Sequence, residues 1–65
     1  MYSKADIENI FNNVRTGEEW DYVCNLFAWL FSDYEYASLY SDDQQTHFSD
    51  TAVRSLYKLE QNGKA

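Results

Sequence analysis

Apolar side chains recur at helical spacing along most of this chain, and each run follows residues that start helices. In the first segment Ile7, Ile10, Phe11 and Val14 fall on one stripe. Ser3 and Asp6 have the spacing of a capping box, with Tyr2 and Ile7 placed as the hydrophobic staple around it. This predicts a helix over residues 4–14. Asn12, Asn13, Thr16 and Gly17 then favour a turn, because short polar side chains compete for backbone hydrogen bonds and glycine accepts a left-handed conformation. A second start signal follows at once. Thr16 is placed to cap with Glu19, and Glu18, Glu19 and Asp21 set negative charge at the positive end of the next helix dipole. On a wheel of about 100° per residue, Trp20, Val23, Cys24, Phe27, Leu30 and Phe31 share one face, and Tyr22, Leu26 and Trp29 widen the apolar arc. Only Asp21, Asn25 and Ser32 form a polar strip. A helix so apolar is either the central element, touched from two sides, or the owner of a second adhesive face. The central role is the favoured reading.

The pattern from Ser32 to Tyr40 is mixed. Ser32 and Glu35 have capping-box spacing, yet Tyr34, Tyr36, Ser38 and Tyr40 alternate like one side of a strand. A lone strand has no ladder partner, so a short helix is the better reading. Ser41 to His47 is polar throughout and reads as a loop. A last helix is then expected to start at Ser49 or Asp50, stapled by Phe48 and Val53, to bury Val53, Leu56, Tyr57 and Leu59, and to stop at Asn62 and Gly63. The chain has no proline to interrupt these elements. The prediction is a single all-α domain over residues 1–65, a small three- to four-helix bundle around a largely apolar central helix at about residues 17–31.

Charge changes the picture. From Thr16 through Val53 there is no lysine or arginine, while Glu18, Glu19, Asp21, Asp33, Glu35, Asp42, Asp43 and Asp50 all fall in that span. The cations Lys4, Arg15, Arg54, Lys58 and Lys64 are displaced to the flanks, and the formal net charge is −6. Such a surface repels phosphates and anionic lipid, so direct contact with nucleic acid or a membrane face is not expected. It attracts cationic clefts on other proteins, including those that hold DNA or RNA. An apolar fraction of 45% is too rich for a disordered acidic tail. The longest apolar stretch, Trp20 to Phe31, contains Asp21 and Asn25 and is too short to span a bilayer. The first residues lack the order of a secretion signal, and Cys24 is the only cysteine, which together point to a soluble, cytoplasmic protein.

Catalytic chemistry is sparse. His47 near Asp43 and Asp50 supplies one nitrogen, too few ligands for a metal site, and reads as a solvated loop histidine. The segment from Ser41 lacks the glycine and final glutamate of a calcium loop. Cys24 sits in an apolar stripe, which disfavours a nucleophile paired with His47. Neighbouring carboxylates such as Glu18 with Glu19 point apart. No enzyme, cofactor or metal is expected.

A binding role is left. If the second helix is unbroken, Glu18 and Asp33 lie about 22 Å apart at 1.5 Å per residue, a length of roughly six base pairs. Tyr34, Tyr36 and Tyr40 stand among the acids as candidate interface anchors, with core filling as their alternative role. In character, though in no motif, the chain resembles the very small acidic proteins by which bacteriophages and mobile elements block host nucleic-acid enzymes. That resemblance implies an inhibitor imitating DNA, aimed at a nuclease, a restriction or CRISPR complex, or a polymerase. The expected contact set is Glu18, Glu19, Asp21, Asp33, Tyr34, Glu35, Tyr36, Tyr40, Asp42, Asp43 and Asp50. Two rivals stand beside it. One is a homo-oligomer with a seam through Tyr22, Leu26 and Trp29, its acids serving solubility alone. The other is a small regulator or antitoxin using its last helix, which carries Arg54 and Lys58.

Overall fold

The computed structural model describes residues 2–63; Lys64, one of the flanking cations, lies outside the described residues. The described residues form four helices and no strand: α1 (Lys4–Asn12), α2 (Gly17–Phe31), α3 (Tyr34–Ala37) and α4 (Asp42–Gln61). The expected all-α bundle is what the chain forms. Helix α2 packs against each of the other three, so the apolar helix is the central one.

Helix α1 begins as its sequence dictates. Ser3 Oγ accepts the Asp6 backbone N–H at 3.1 Å, and the Asp6 carboxylate accepts the Ser3 N–H at 2.9 Å. The backbone bond from Ser3, with its hydroxyl adding, holds the Asp6 carboxyl below the ordinary carboxylate range. The helix ends at Asn12 rather than at 14. Asn13 folds its side-chain amide back onto the Asn9 carbonyl at 2.9 Å and closes the last turn, while Val14, beyond the helix, is still buried.

Thr16 caps α2 through its hydroxyl, which accepts the Glu19 N–H at 3.1 Å. One face of α2 closes the core: Phe27 is fully enclosed, its ring 4.9 Å from Phe48, 5.2 Å from Tyr2 and 6.0 Å from Phe31. Ile7, Phe11, Val14, Ala52 and Leu59 complete that core. Trp20 adds a directional tie, donating its indole N–H to the Ala52 carbonyl at 2.9 Å and fixing α2 against the middle of α4.

Two elements differ from expectation. Asp33, not Ser32, caps α3: its Oδ1 accepts the N–H groups of Glu35 and Tyr36, while the Ser32 hydroxyl turns back to donate to the Trp29 carbonyl at 2.6 Å. A carboxylate is the stronger acceptor and wins the cap.

The larger correction is at Ser41 to His47, where Ser41 is an N-cap and Asp42 to His47 is helix rather than loop. Ser41 and Gln44 make a full capping box, with Ser41 Oγ accepting the Gln44 N–H at 3.1 Å and Gln44 Oε1 accepting the Ser41 N–H at 2.9 Å. Helix α4 therefore runs for 20 residues and starts well before Ser49 or Asp50. Its inward face also differs. Phe48 packs into the core instead of acting as a staple, Thr51, Ala52 and Leu59 are buried, and Val53 and Tyr57 face solvent. The small side chains of Thr51 and Ala52 let α4 approach its neighbours closely, and that sets the phase. Asn62 caps the C-terminus and Gly63, at a φ of 67°, takes the left-handed turn that ends the helix.

Candidate partner-binding surface

The eight acids of the cation-free span are all exposed. Six of them belong to helix starts. Glu18 and Glu19 lie in the first turn of α2, Asp33 and Glu35 cap and open α3, and Asp42 and Asp43 open α4. Each pair therefore stabilises a helix dipole as well as charging the surface. Asp21 and Asp50 lie further along α2 and α4 and have no such local duty.

Local neutralisation is limited. Lys4 pairs with Asp43 across the start of α4, and its hydrogen bond, then its charge, holds the Asp43 carboxyl below the ordinary range. Asp43 is accordingly the least available of the expected acidic contacts. Among the described residues no ion pair is formed by the other seven acids. Arg54 and Lys58 line a cleft of about 440 Å³ between α1 and α4. Asn12 and Asn62, at the C-terminal ends of those helices, line the same cleft, so the cations answer the negative ends of two dipoles.

The three tyrosines divide. Tyr34 is 86% exposed and free to meet a partner. Tyr40 is only 5% exposed and belongs to the core, packing edge-on to Phe31 at 5.1 Å, so it cannot serve as the surface anchor expected of it. Its hydroxyl accepts the Tyr2 backbone N–H at 2.8 Å and lies 2.8 Å from the Tyr36 hydroxyl. Tyr36 is half-buried in that network. Burial, reinforced by the Tyr40 hydrogen bond, pushes its phenol up to about 12.

On the far side of α2 from Phe27, Tyr22 is 70%, Leu26 38% and Trp29 72% exposed. The helix is central, the favoured reading, and it also keeps an exposed apolar outer stripe. Next to that stripe lie two notches the sequence did not reveal. One, of about 390 Å³, is lined by Ile10, Asn13, Val14, Tyr22 and Val23 together with Glu18 and Glu19. The other, of about 280 Å³, lies among Trp29, Leu30, Ser32, Asp33 and Tyr36. Both depend on how α2 meets α1 and α3, which periodicity along a single helix does not encode.

The remaining reactive side chains are apart from this surface. His47 is not a solvated loop residue. Its side chain is 17% exposed on α4, with Nε2 3.5 Å from Glu8 Oε1 and 3.4 Å from Thr51 Oγ1. Cys24 is half-buried, and desolvation, with Asp21 adding, raises its thiol above the ordinary value. Among the described residues no three His, Cys, Asp or Glu side chains gather as a metal site, and no helix is long and apolar enough to cross a membrane.

No protein-family model, curated protein or solved structure matches this chain.

Proposed function

We propose that this protein is a non-enzymatic binding module that occupies a cationic, nucleic-acid-binding cleft of another protein. The observation that carries the reading is the cation-free span from Thr16 to Val53, whose eight carboxylates are all exposed and of which only Asp43 is paired among the described residues. Free carboxylates on a rigid helical frame present fixed negative charge without the conformational cost of an acidic tail. Helix α2 supports the length scale: its 15 residues rise about 22 Å, a rod comparable to a short phosphate run, with Glu18 in its first turn and Asp33 just beyond its end as the cap of α3. Of the target classes, a nuclease, a CRISPR or restriction complex, and a polymerase all carry such clefts.

The test is competition. The immobilised protein, exposed to bacterial lysate at about 50 mM salt, should retain nucleic-acid-handling proteins that are released by added duplex DNA and by about 0.5 M salt. Charge reversal by Glu18→Lys with Asp33→Lys should abolish retention, whereas Asp43→Lys, altering a carboxylate already paired, should weaken it less. Retention of no such protein, or equal retention by every variant, refutes the reading.

A further inference from the structure

Tyr22, Leu26 and Trp29 are spaced four and three residues apart, which places them on one stripe of α2. At about 100° per residue, Trp29 and Tyr22 project roughly 160° and 140° away from Phe27. They are therefore surplus to the fold. At about 150–250 Å² per aromatic side chain, the stripe exposes on the order of 400 Å². A standard interface needs about 800 Å² from each partner, so the stripe supplies about half of one. Whatever covers it must also cover what flanks it.

The flanks are anionic. Glu18 and Glu19 precede the stripe, Asp21 lies beside it, and Asp33 and Glu35 follow it. No lysine or arginine stands anywhere in that part of the sequence. A second copy laid on this face, in either direction, sets carboxylates against carboxylates, and neither α2 nor α3 carries a cation to relieve them. The same acids oppose an anionic membrane. A cationic partner meets attraction on both flanks, and the notches fit its side chains. Each is lined by apolar side chains together with carboxylates, Glu18 and Glu19 at one and Asp33 at the other. That combination suits a lysine or arginine, whose methylene stem packs while its charged head stays at the rim. The rings of Trp29 and Tyr22 offer faces for the same cations.

We infer that the outer face of α2 is the docking site for a basic amphipathic helix of a partner protein, with Tyr22, Leu26 and Trp29 as its apolar seat and Glu18, Glu19 and Asp33 receiving its cations. This inference rests on the reading of the acidic surface above and adds that recognition is not electrostatic alone. Because the apolar seat is insensitive to salt, part of the affinity persists where a purely charged complex is gone.

The probe is a synthetic helical peptide of lysine and leucine, about 18 residues long, with its leucines on one stripe. It is compared with an isomer of equal composition whose leucines are dispersed around the wheel, and with oligolysine of equal charge. By fluorescence anisotropy the striped peptide should bind roughly tenfold or more tightly than its isomer, and Trp29→Ala combined with Leu26→Ala should erase that advantage. Circular dichroism verifies that the variant is folded, as its exposed positions lead one to expect.

Equal binding of the two isomers overturns the docking face while leaving the acidic-surface reading intact. Failure of all three probes overturns both. A concentration-dependent dimer in sedimentation that is lost with Trp29→Ala gives the face to a second copy. Trp29-dependent binding to phosphatidylcholine vesicles gives it to lipid. Either result overturns the proposal.

Discussion

Replacing Phe27 by alanine should bring this protein to the edge of unfolding, whereas replacing Trp29, two residues away, should scarcely alter its stability. Phe27 is 1% exposed and contacts the rings of Tyr2, Phe31 and Phe48. Truncating a buried phenylalanine costs about 3–5 kcal/mol, from lost transfer energy and the cavity left behind. The upper part of that range applies, because three aromatic neighbours lose a partner together. A chain of 65 residues has a total stability of about 3–10 kcal/mol. The substitution therefore removes much or all of it. Trp29, exposed to 72%, gives up little burial, and its alanine variant should lie within about 0.5 kcal/mol of the parent. Urea denaturation followed by far-ultraviolet circular dichroism measures both. In thermal melts the Phe27 variant should fall by about 15–30 °C if it retains a transition at all. A loss of under about 1 kcal/mol at Phe27, or equal losses at the two positions, would show that the inward and outward faces of α2 are wrongly assigned.

Other consequences follow from the caps and titrating groups. Ser41→Ala should cost about 1 kcal/mol by releasing the Gln44 N–H at the start of α4, and amide exchange over residues 42–46 should quicken. Because the Tyr36 phenol is raised to about 12, the folded state holds that proton more tightly than the unfolded state. Its contribution is complete below the ordinary tyrosine value near 10 and is lost as pH rises through about 12; Tyr36→Phe should flatten that alkaline loss in melts followed against pH. The lowered carboxyls of Asp6 and Asp43 have the opposite sign. Their contribution is present above the usual carboxylate range and lost as pH falls through their depressed values, and Asp43→Asn should remove the Lys4-dependent part of that acid loss in melts followed against pH. The Cys24 thiol, raised by burial, should react slowly with a disulfide reagent in the native protein and quickly in urea; native and denatured rates that coincide would contradict its burial.

The helical class and the first two helices were legible because their signals are local. The Ser3 and Asp6 box, the Thr16 cap and the stripe of Trp20, Val23, Phe27 and Phe31 lie within one or two turns of what they control. The start of α4 was just as local but was masked by polarity. Ser41 and Gln44 have capping-box spacing, yet the next inward apolar side chain is Phe48, so the first two turns resemble a loop when judged by hydrophobicity alone. The inward phase of α4 was hidden for a related reason, since Thr51 and Ala52 are buried for their smallness rather than for strong apolarity. At the candidate surface, the acids could be placed from sequence because charge stays outside. The tyrosines could not: Tyr34 and Tyr40 fall in the same alternating pattern, and only the meeting of this segment with Phe31 and Tyr2 sends Tyr40 inward and leaves Tyr34 in water.

The division of α2 into an enclosed side and an outer side separates two kinds of packing constraint. Residues such as Phe27 and Trp20 are held fixed by neighbours on several elements, whereas Tyr22, Leu26 and Trp29 can be exchanged with little effect on folding. Side chains there can therefore be varied one at a time on an unchanged frame, a property that suits the helix to display libraries randomised at those three positions.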